Sequence, residues 1–252
     1  MTSSQSHISL LTAGVILALL FFSLAADAGA KPSAGISSAQ QADSVVVAKD
    51  SVVVDSLPAV RKVLFLGDSM TGWMAERLNA YGEKNGFEVA TVVWDGSTIS
   101  KWAKSPNLRK LIERAQPDAI LVSLGMNEMF ERNPQTRLDG PTSAMLEAFG
   151  DTPFLWIGPP SWPGHAEAEA FNEWMEGKLG SDRYFRSSKL DLQRQSRNNP
   201  HPTRKGIEQW IDSVAAWIPG NSVIRFESLE DPGAGKVSRG KEFIYKRMKE
   251  RL

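Results

Sequence analysis

A serine at the end of a short apolar segment is the first residue of this sequence with the chemistry of a nucleophile. Ser69 lies in VLFLGDSMTG (63–72), where an apolar run stops at Gly-Asp-Ser and an amphipathic stretch begins. A serine in this position either caps the N-terminus of a helix or attacks an electrophile. Because a hydroxyl is a weak nucleophile, the second interpretation requires a base within hydrogen-bond reach.

Histidine is the usual base for such a serine, and the chain has three. His7 lies in an apolar N-terminal segment. His165 lies in PGHAEAEAF, a pattern that predicts a helix start and a surface or substrate-loop role. His201 lies in HPTRKG, a tight turn before the last long helical stretch, and we therefore predict that His201 is the base.

Acyl transfer also needs hydrogen-bond donors directed at the oxygen that becomes negative. The backbone N–H of Ser69, at a helix N-terminus, is one candidate. Gly96 offers a second backbone N–H and, having no side chain, permits close approach of a substrate. The side-chain amide of Asn127 is a third. Taken singly, Gly96 also suits a turn and Asn127 also suits a helix cap.

Alternating strands and helices predict how these residues meet. Apolar segments predict strands at 62–67, 88–96, 118–125 and 153–160, with a weaker fifth at 184–190. Helical periodicity lies between them, at 74–84, 107–115, 143–148, 166–179 and 203–218. This order is typical of a three-layer α/β/α sandwich with a parallel sheet. Since ligands bind at the carboxyl ends of such strands, the serine, glycine, asparagine and histidine are predicted to share one edge.

The ordered set of GDS (67–69), Gly96, GMNE (125–128) and HPT (201–203) resembles the SGNH subfamily of GDSL-type hydrolases. The resemblance covers about residues 62–218. It implies a flavodoxin-like fold with a five-stranded parallel sheet, and ester hydrolysis or acyl transfer that uses no metal or other cofactor. It also implies that Ser69 is the nucleophile, that His201 is the base, and that Ser69, Gly96 and Asn127 form the oxyanion hole.

One position departs from that family's pattern. An Asp usually stands three residues before the histidine, whereas this chain has Asn198. In serine proteases, replacing the equivalent Asp by Asn lowers kcat about 10⁴-fold. We expect Asn198, or a backbone carbonyl, to orient His201 in a working dyad. Two alternatives stay open: a carboxylate such as Asp191 or Glu128 approaches the imidazole, or the protein is a weakened enzyme that mainly binds.

The remainder of the chain predicts export. Residues 8–26 are almost wholly apolar and are followed by Ala-Gly-Ala, so 1–30 is predicted to be a signal peptide or, at nearly 20 apolar residues, a membrane anchor. Both interpretations predict a periplasmic or secreted protein. Residues 31–60 are predicted to be a linker, 61–219 the hydrolase-like domain and 220–252 a basic tail.

Composition limits the partners and the chemistry. The charge is balanced, with 29 basic and 29 acidic residues, which gives no indication of a nucleic-acid partner. The chain has no cysteine, and this excludes disulfides and thiolate chemistry. The oligomeric state is not determined by the sequence.

Tryptophans near the predicted site suggest a substrate. Trp73 lies one turn beyond Ser69, and Trp162 lies in a Pro-rich loop after the fourth strand. Aromatic faces at such an edge stack on sugar rings. The sequence therefore predicts an exported serine esterase acting on small esters or O-acetylated glycans. Two alternatives remain: an O-acetyltransferase acting on envelope glycan, and a carbohydrate-binding or scaffold protein with a weakened site.

Overall fold

The computed structural model describes residues 57–164 and 167–252. The predicted signal peptide or anchor, most of the predicted linker, and His165 lie outside the described residues. No helix in the described part of the chain is both long enough and apolar enough to cross a membrane.

Strands and helices alternate between residues 62 and 185, as the sequence predicted. The first half of the domain contains β1 (Lys62–Gly67), α1 (Thr71–Asn85), β2 (Glu88–Trp94), α2 (Ile99–Ala103), α3 (Asn107–Ala115) and β3 (Ala119–Ser123). The second half contains α4 (Pro134–Arg137), α5 (Asp139–Phe149), β4 (Phe154–Ile157), α6 (Glu167–Leu179), β5 (Tyr184–Phe185), α7 (Arg204–Trp217) and β6 (Glu242–Lys246).

Within the described residues, six strands form one parallel sheet in the order β5-β4-β3-β1-β2-β6. Strand β1 lies in the middle and is buried on both faces. Its alternate residues Val63 and Phe65 belong to one hydrophobic core, while Leu64 and Leu66 belong to another on the opposite face. This two-residue period explains why the strand reads as a continuous apolar run.

Helices cover both faces of the sheet and complete three layers. Helices α1 and α7 pack on one face, where Met74, Leu78 and Trp210 are buried. Helices α2, α3, α5 and α6 pack on the other, where Trp102 and Phe171 are buried. The predicted α/β/α sandwich is therefore confirmed.

The strand count differs from the prediction of five. Residues 184–190 were predicted to be a strand, but pairing ends after two residues and a 3₁₀ turn follows at Ser187–Lys189. The turn forms because Ser187 is buried, where its hydroxyl accepts a 2.7 Å hydrogen bond from Trp210 Nε1.

The sixth strand comes from the segment predicted to be a basic tail. That prediction is wrong for Glu242–Lys246, which pair in parallel with β2. Beyond the strand, the carbonyl of Glu250 accepts a 3.0 Å hydrogen bond from the buried Trp94 indole. The C-terminal segment therefore covers the edge of β2 that would otherwise be open.

A buried arginine holds this segment to the domain. Arg77 of α1 is 1% exposed and donates to Asp212 of α7 at 2.8 Å and to Asp231 at 2.9 Å. It also donates to the carbonyls of Gly233 and Lys236, at 2.7 and 3.0 Å. One planar guanidinium thus joins α1, α7 and the chain that leads to β6.

Candidate active site

Ser69 occupies a tight turn between the carboxyl end of β1 and the start of α1. The Asp68 carboxylate accepts a 2.9 Å hydrogen bond from the Met70 N–H, and the Asp68 carbonyl accepts from Thr71 N–H at 3.1 Å. Gly67 is required before this turn, because a Cβ there would lie 2.1 Å from the Ser123 carbonyl oxygen. The turn presents the half-buried Ser69 at the sheet edge.

His201 reaches the same edge from a loop braced at both ends. Arg194 pairs with Pro202 across an isolated bridge and donates to the Pro200 carbonyl. The Thr203 N–H donates to the Gln193 carbonyl at 2.8 Å. These contacts close the loop around His201 and fix the path of its backbone.

The two side chains meet directly. Ser69 Oγ lies 3.0 Å from His201 Nε2, although 132 positions separate the residues in the chain. Burial lowers the pKa of the imidazole below its usual value of 6.5, while the negative charge of Asp95 acts in the opposite direction. A neutral imidazole that accepts at Nε2 is the form able to take the serine proton.

The predicted partner of the imidazole is not in contact with it. Asn198 is exposed and makes no hydrogen bond to His201 within the described residues. Its neighbour Asn199 instead accepts a 2.9 Å hydrogen bond from the His201 backbone N–H. Asp191 is exposed, and Glu128 is buried against the Ile99 N–H, so neither alternative carboxylate bonds the ring.

The predicted oxyanion donors converge on this edge. Gly96 follows β2 with φ of 58°, a conformation that favours glycine. Within the described part of the chain, neither the Ser69 N–H nor the Gly96 N–H donates a hydrogen bond. Asn127 Nδ2 donates to the Ser97 carbonyl at 2.8 Å and lies 3.4 Å from Asp68 Oδ2. Asn127 therefore ties the turn of Ser69 to the segment that contains Gly96 and Ser97.

Two buried carboxyl groups lie beneath these turns. Burial raises the pKa of Asp68 to about 7. It raises the pKa of Glu128 to about 8, and the nearby Asp68 contributes. Glu128 receives a hydrogen bond from Ile99 N–H, at the start of α2, through one oxygen, while its second oxygen has no partner in the described residues. Below these pKa values both groups are neutral and do not repel an oxyanion formed nearby.

A cavity of about 480 Å³ opens beside the Ser69–His201 pair. Trp73 lines it, as expected of a substrate-binding residue. Trp162 does not; its indole packs 5.9 Å from the Phe130 ring and donates to the Arg197 carbonyl. The structure thus brings one of the two predicted tryptophans to the cavity.

Sequence reasoning missed several cavity residues, among them Asp95, Phe243 and Tyr245. Asp95 directly follows β2 and accepts a hydrogen bond from the Tyr245 hydroxyl. Phe243 and Tyr245 come from β6. The short apolar run Phe243-Ile244-Tyr245 was the available signal, but a basic composition on both sides of it favoured a tail.

No cluster of three or more His, Asp or Glu side chains suited to a metal ion occurs within residues 57–164 and 167–252.

Comparison with known proteins establishes the fold. No protein-family profile and no curated protein sequence matches the chain. A solved structure assigned to the lipolytic G-D-S-L family, from Desulfitobacterium hafniense, matches with a TM-score of 0.50 at 15% identity, over 61% of this chain and 97% of that one. This chain therefore has an SGNH hydrolase-like fold, as the sequence motifs predicted.

Two further solved structures are similar over a comparable share of the chain. Esterase EstA from Pseudoalteromonas sp. has 17% identity and a TM-score of 0.48, covering 64% of this chain and all of that one. A family 3 carbohydrate esterase from Clostridium thermocellum has 15% identity and a TM-score of 0.47, covering 62% and 94%.

Proposed function

We propose that this protein is an exported serine esterase that removes short acyl groups, O-acetyl above all, from carbohydrate. The observation that carries the proposal is the 3.0 Å contact between Ser69 Oγ and His201 Nε2. It joins a nucleophile to a base at the carboxyl edge of a parallel sheet, where such folds bind ligands. The fold shared with a G-D-S-L lipolytic protein agrees with this chemistry.

The first half of the reaction forms an acyl-enzyme. Ser69 Oγ attacks the ester carbonyl carbon while its proton passes to His201 Nε2. The carbonyl π electrons move to the oxygen, and the N–H groups of Ser69 and Gly96, with the Asn127 amide, stabilise that oxyanion. When the intermediate collapses, the bond to the alcohol breaks and the imidazolium returns its proton to the leaving oxygen.

The second half repeats these steps with water. His201 removes a proton from a water molecule that attacks the acyl carbon, and the Ser69 oxygen leaves with that proton as the acid is released. No carboxylate in the described part of the chain is hydrogen-bonded to the imidazolium. Asp95, which lines the same cavity, supplies the negative charge that favours the protonated ring.

Hydrolysis of p-nitrophenyl acetate by the purified protein tests this proposal. We expect Ser69→Ala to lower kcat/KM at least about 10³-fold, because the acyl-enzyme can no longer form. His201→Ala should cost a similar amount. Ser100→Ala, which changes a serine on helix α2, is the matched control and should retain the rate of the parent.

Two outcomes would contradict the proposal: a parent rate equal to that of buffer, or a Ser69→Ala variant as active as the parent. Acetate release measured with and without a glycan acceptor would further separate hydrolysis from acetyl transfer, since a transferase releases less free acetate when an acceptor is present.

A further inference from the structure

We propose that the C-terminal strand β6 forms a sugar-binding wall of the active-site cavity and selects uncharged glycans as substrates. This inference rests on the proposed esterase function, which it deepens by naming the substrate class. It assigns a binding role to Phe243 and Tyr245, which lie outside the segment that resembles known hydrolases.

Strand geometry places both rings on the cavity side. Phe243 and Tyr245 are two residues apart, so their side chains leave the same face of β6. In the parallel register they lie beside Thr91 and Val93 of β2, and Val93 also lines the cavity. The two rings thus continue the wall that begins at the buried face of β2.

The rings remain half exposed in a domain that buries most of its large apolar side chains. Phe243 is 48% exposed, Tyr245 50% and Trp73 41%. All three line one cavity, next to Ser69. Exposed aromatic rings grouped around a reactive serine indicate a surface that a ligand covers.

Polar groups within the same cavity favour a sugar over an alkyl chain. Asp95, Gln195 and Asn199 line it together with the rings. An alkyl chain would remove water from the Asp95 carboxylate without replacing its hydrogen bonds, and this is unfavourable. Sugar hydroxyls donate to carboxylates and amides, while the C–H faces of the sugar ring stack on aromatic rings. The lining therefore suits a glycan.

The charge of the cavity favours an uncharged glycan. The charged side chains that line it are those of Glu76 and Asp95; within the described residues no Lys or Arg lines it. Arg204 lies near Trp73 but pairs with Glu76 at 3.1 Å, and this pair neutralises both charges. Asp95 is left to repel a uronic acid carboxylate.

Kinetics on three esters test the wall. The substrates are O-acetylated cello-oligosaccharide, acetylated oligogalacturonide and p-nitrophenyl acetate. We expect the parent to prefer the neutral glycan to the uronide. The measured quantity is the ratio of kcat/KM on the neutral glycan to kcat/KM on p-nitrophenyl acetate. Phe243→Ala and Tyr245→Ala should each lower this ratio by about three- to tenfold, because a stacking surface is lost. The loss should appear mainly as a higher KM for the glycan. Tyr245→Phe keeps the ring and should keep most of that ratio.

Phe130→Ala is the matched control, since Phe130 is 43% exposed but does not line the cavity. An unchanged ratio in both Phe243→Ala and Tyr245→Ala, an equal loss in Phe130→Ala, or a parent that prefers the uronide would each overturn the inference.

The test of the wall can be separated from the test of the proposed function. If p-nitrophenyl acetate is hydrolysed equally by the parent and by Ser69→Ala, the esterase proposal fails. Calorimetric titration with unacetylated cello-oligosaccharide then tests the wall alone: weaker binding by Phe243→Ala than by Phe130→Ala would support it, and equal binding would overturn it.

Discussion

At the scale of single residues, burial and charge act on the His201 imidazole in opposite directions. Burial is the larger influence and lowers its pKa, Asp95 raises it, and the Arg194 guanidinium lowers it. Since the neutral ring is the base, kcat/KM should rise with pH as the ring loses its proton, with the midpoint of this rise below pH 6.5.

The Asp95→Asn variant should move that acidic limb to lower pH. Removing the negative charge disfavours the imidazolium, so the pKa of His201 falls further. The measurement is the pH profile of kcat/KM for p-nitrophenyl acetate. Asp191→Asn, which removes an exposed carboxylate that does not line the cavity, should leave the limb in place. A shift in Asp191→Asn and none in Asp95→Asn would contradict this assignment.

The pairing of Ser69 with His201 was predictable because histidine is rare in the chain and both residues follow predicted strands. Three histidines left few choices for a base, and Ser69 followed an apolar segment directly. Asp95 was not predictable as a cavity residue, because its contact with Tyr245 joins positions 150 apart. The resemblance to the SGNH subfamily implied that Asn198 lies near the imidazole, but Asn198 is exposed and makes no bond to the ring within the described residues.

At the scale of elements, the start of α7 holds the loop that carries His201. The Thr203 hydroxyl accepts a 3.2 Å hydrogen bond from the Gly206 N–H, so it caps the helix two residues after the histidine. The same hydroxyl lies 3.1 Å from the Gln193 side-chain oxygen. The Thr203 side chain therefore both caps helix α7 and contacts the loop that carries His201.

The Thr203→Ala variant should lower the free energy of unfolding by about 1 kcal/mol, the usual cost of a lost N-cap. It should also lower kcat, since the loop that places His201 loses an anchor. Urea denaturation and p-nitrophenyl acetate kinetics measure the two effects. Thr203→Ser keeps the hydroxyl and should restore both, whereas an equal loss of activity in the serine variant would show that the hydroxyl is not the cause.

Element prediction worked where local pattern and packing agree. Strand β1 and helix α3 have the bounds that periodicity predicted. Strand β5 is shorter than the predicted segment 184–190, because only Tyr184 and Phe185 pair with β4 and the chain then turns at the buried Ser187. Strand β6 depends on pairing with a partner about 150 positions earlier, and no local pattern reveals such a partner.

At the scale of the whole molecule, Arg77 connects helices α1 and α7 to the C-terminal segment. Arg77→Ala should lower the free energy of unfolding by about 3 kcal/mol, because it leaves carboxylates and carbonyls without their donor. The partners Asp212 and Asp231 are 31% and 64% exposed, so water can solvate them after the substitution and the cost does not rise further. The measurement is urea denaturation.

Arg61→Ala is the control for Arg77→Ala, because Arg61 takes part in an exposed ion pair. Arg61 and Glu227 are both 60% exposed and lie 3.7 Å apart, so breaking this pair should cost less than about 1 kcal/mol. Equal destabilisation of the Arg61 and Arg77 variants would contradict the central role of Arg77 in joining α1, α7 and the approach to β6.

The most direct test of the account is covalent labelling with diethyl p-nitrophenyl phosphate, followed by mass spectrometry of the digested protein. Attack by an activated serine releases p-nitrophenol and leaves a diethylphosphoryl group. We predict one such group on the peptide that contains Ser69, and strongly reduced labelling in His201→Ala. Absence of the label from that peptide, or equal labelling in the two proteins, would contradict a nucleophile activated by His201.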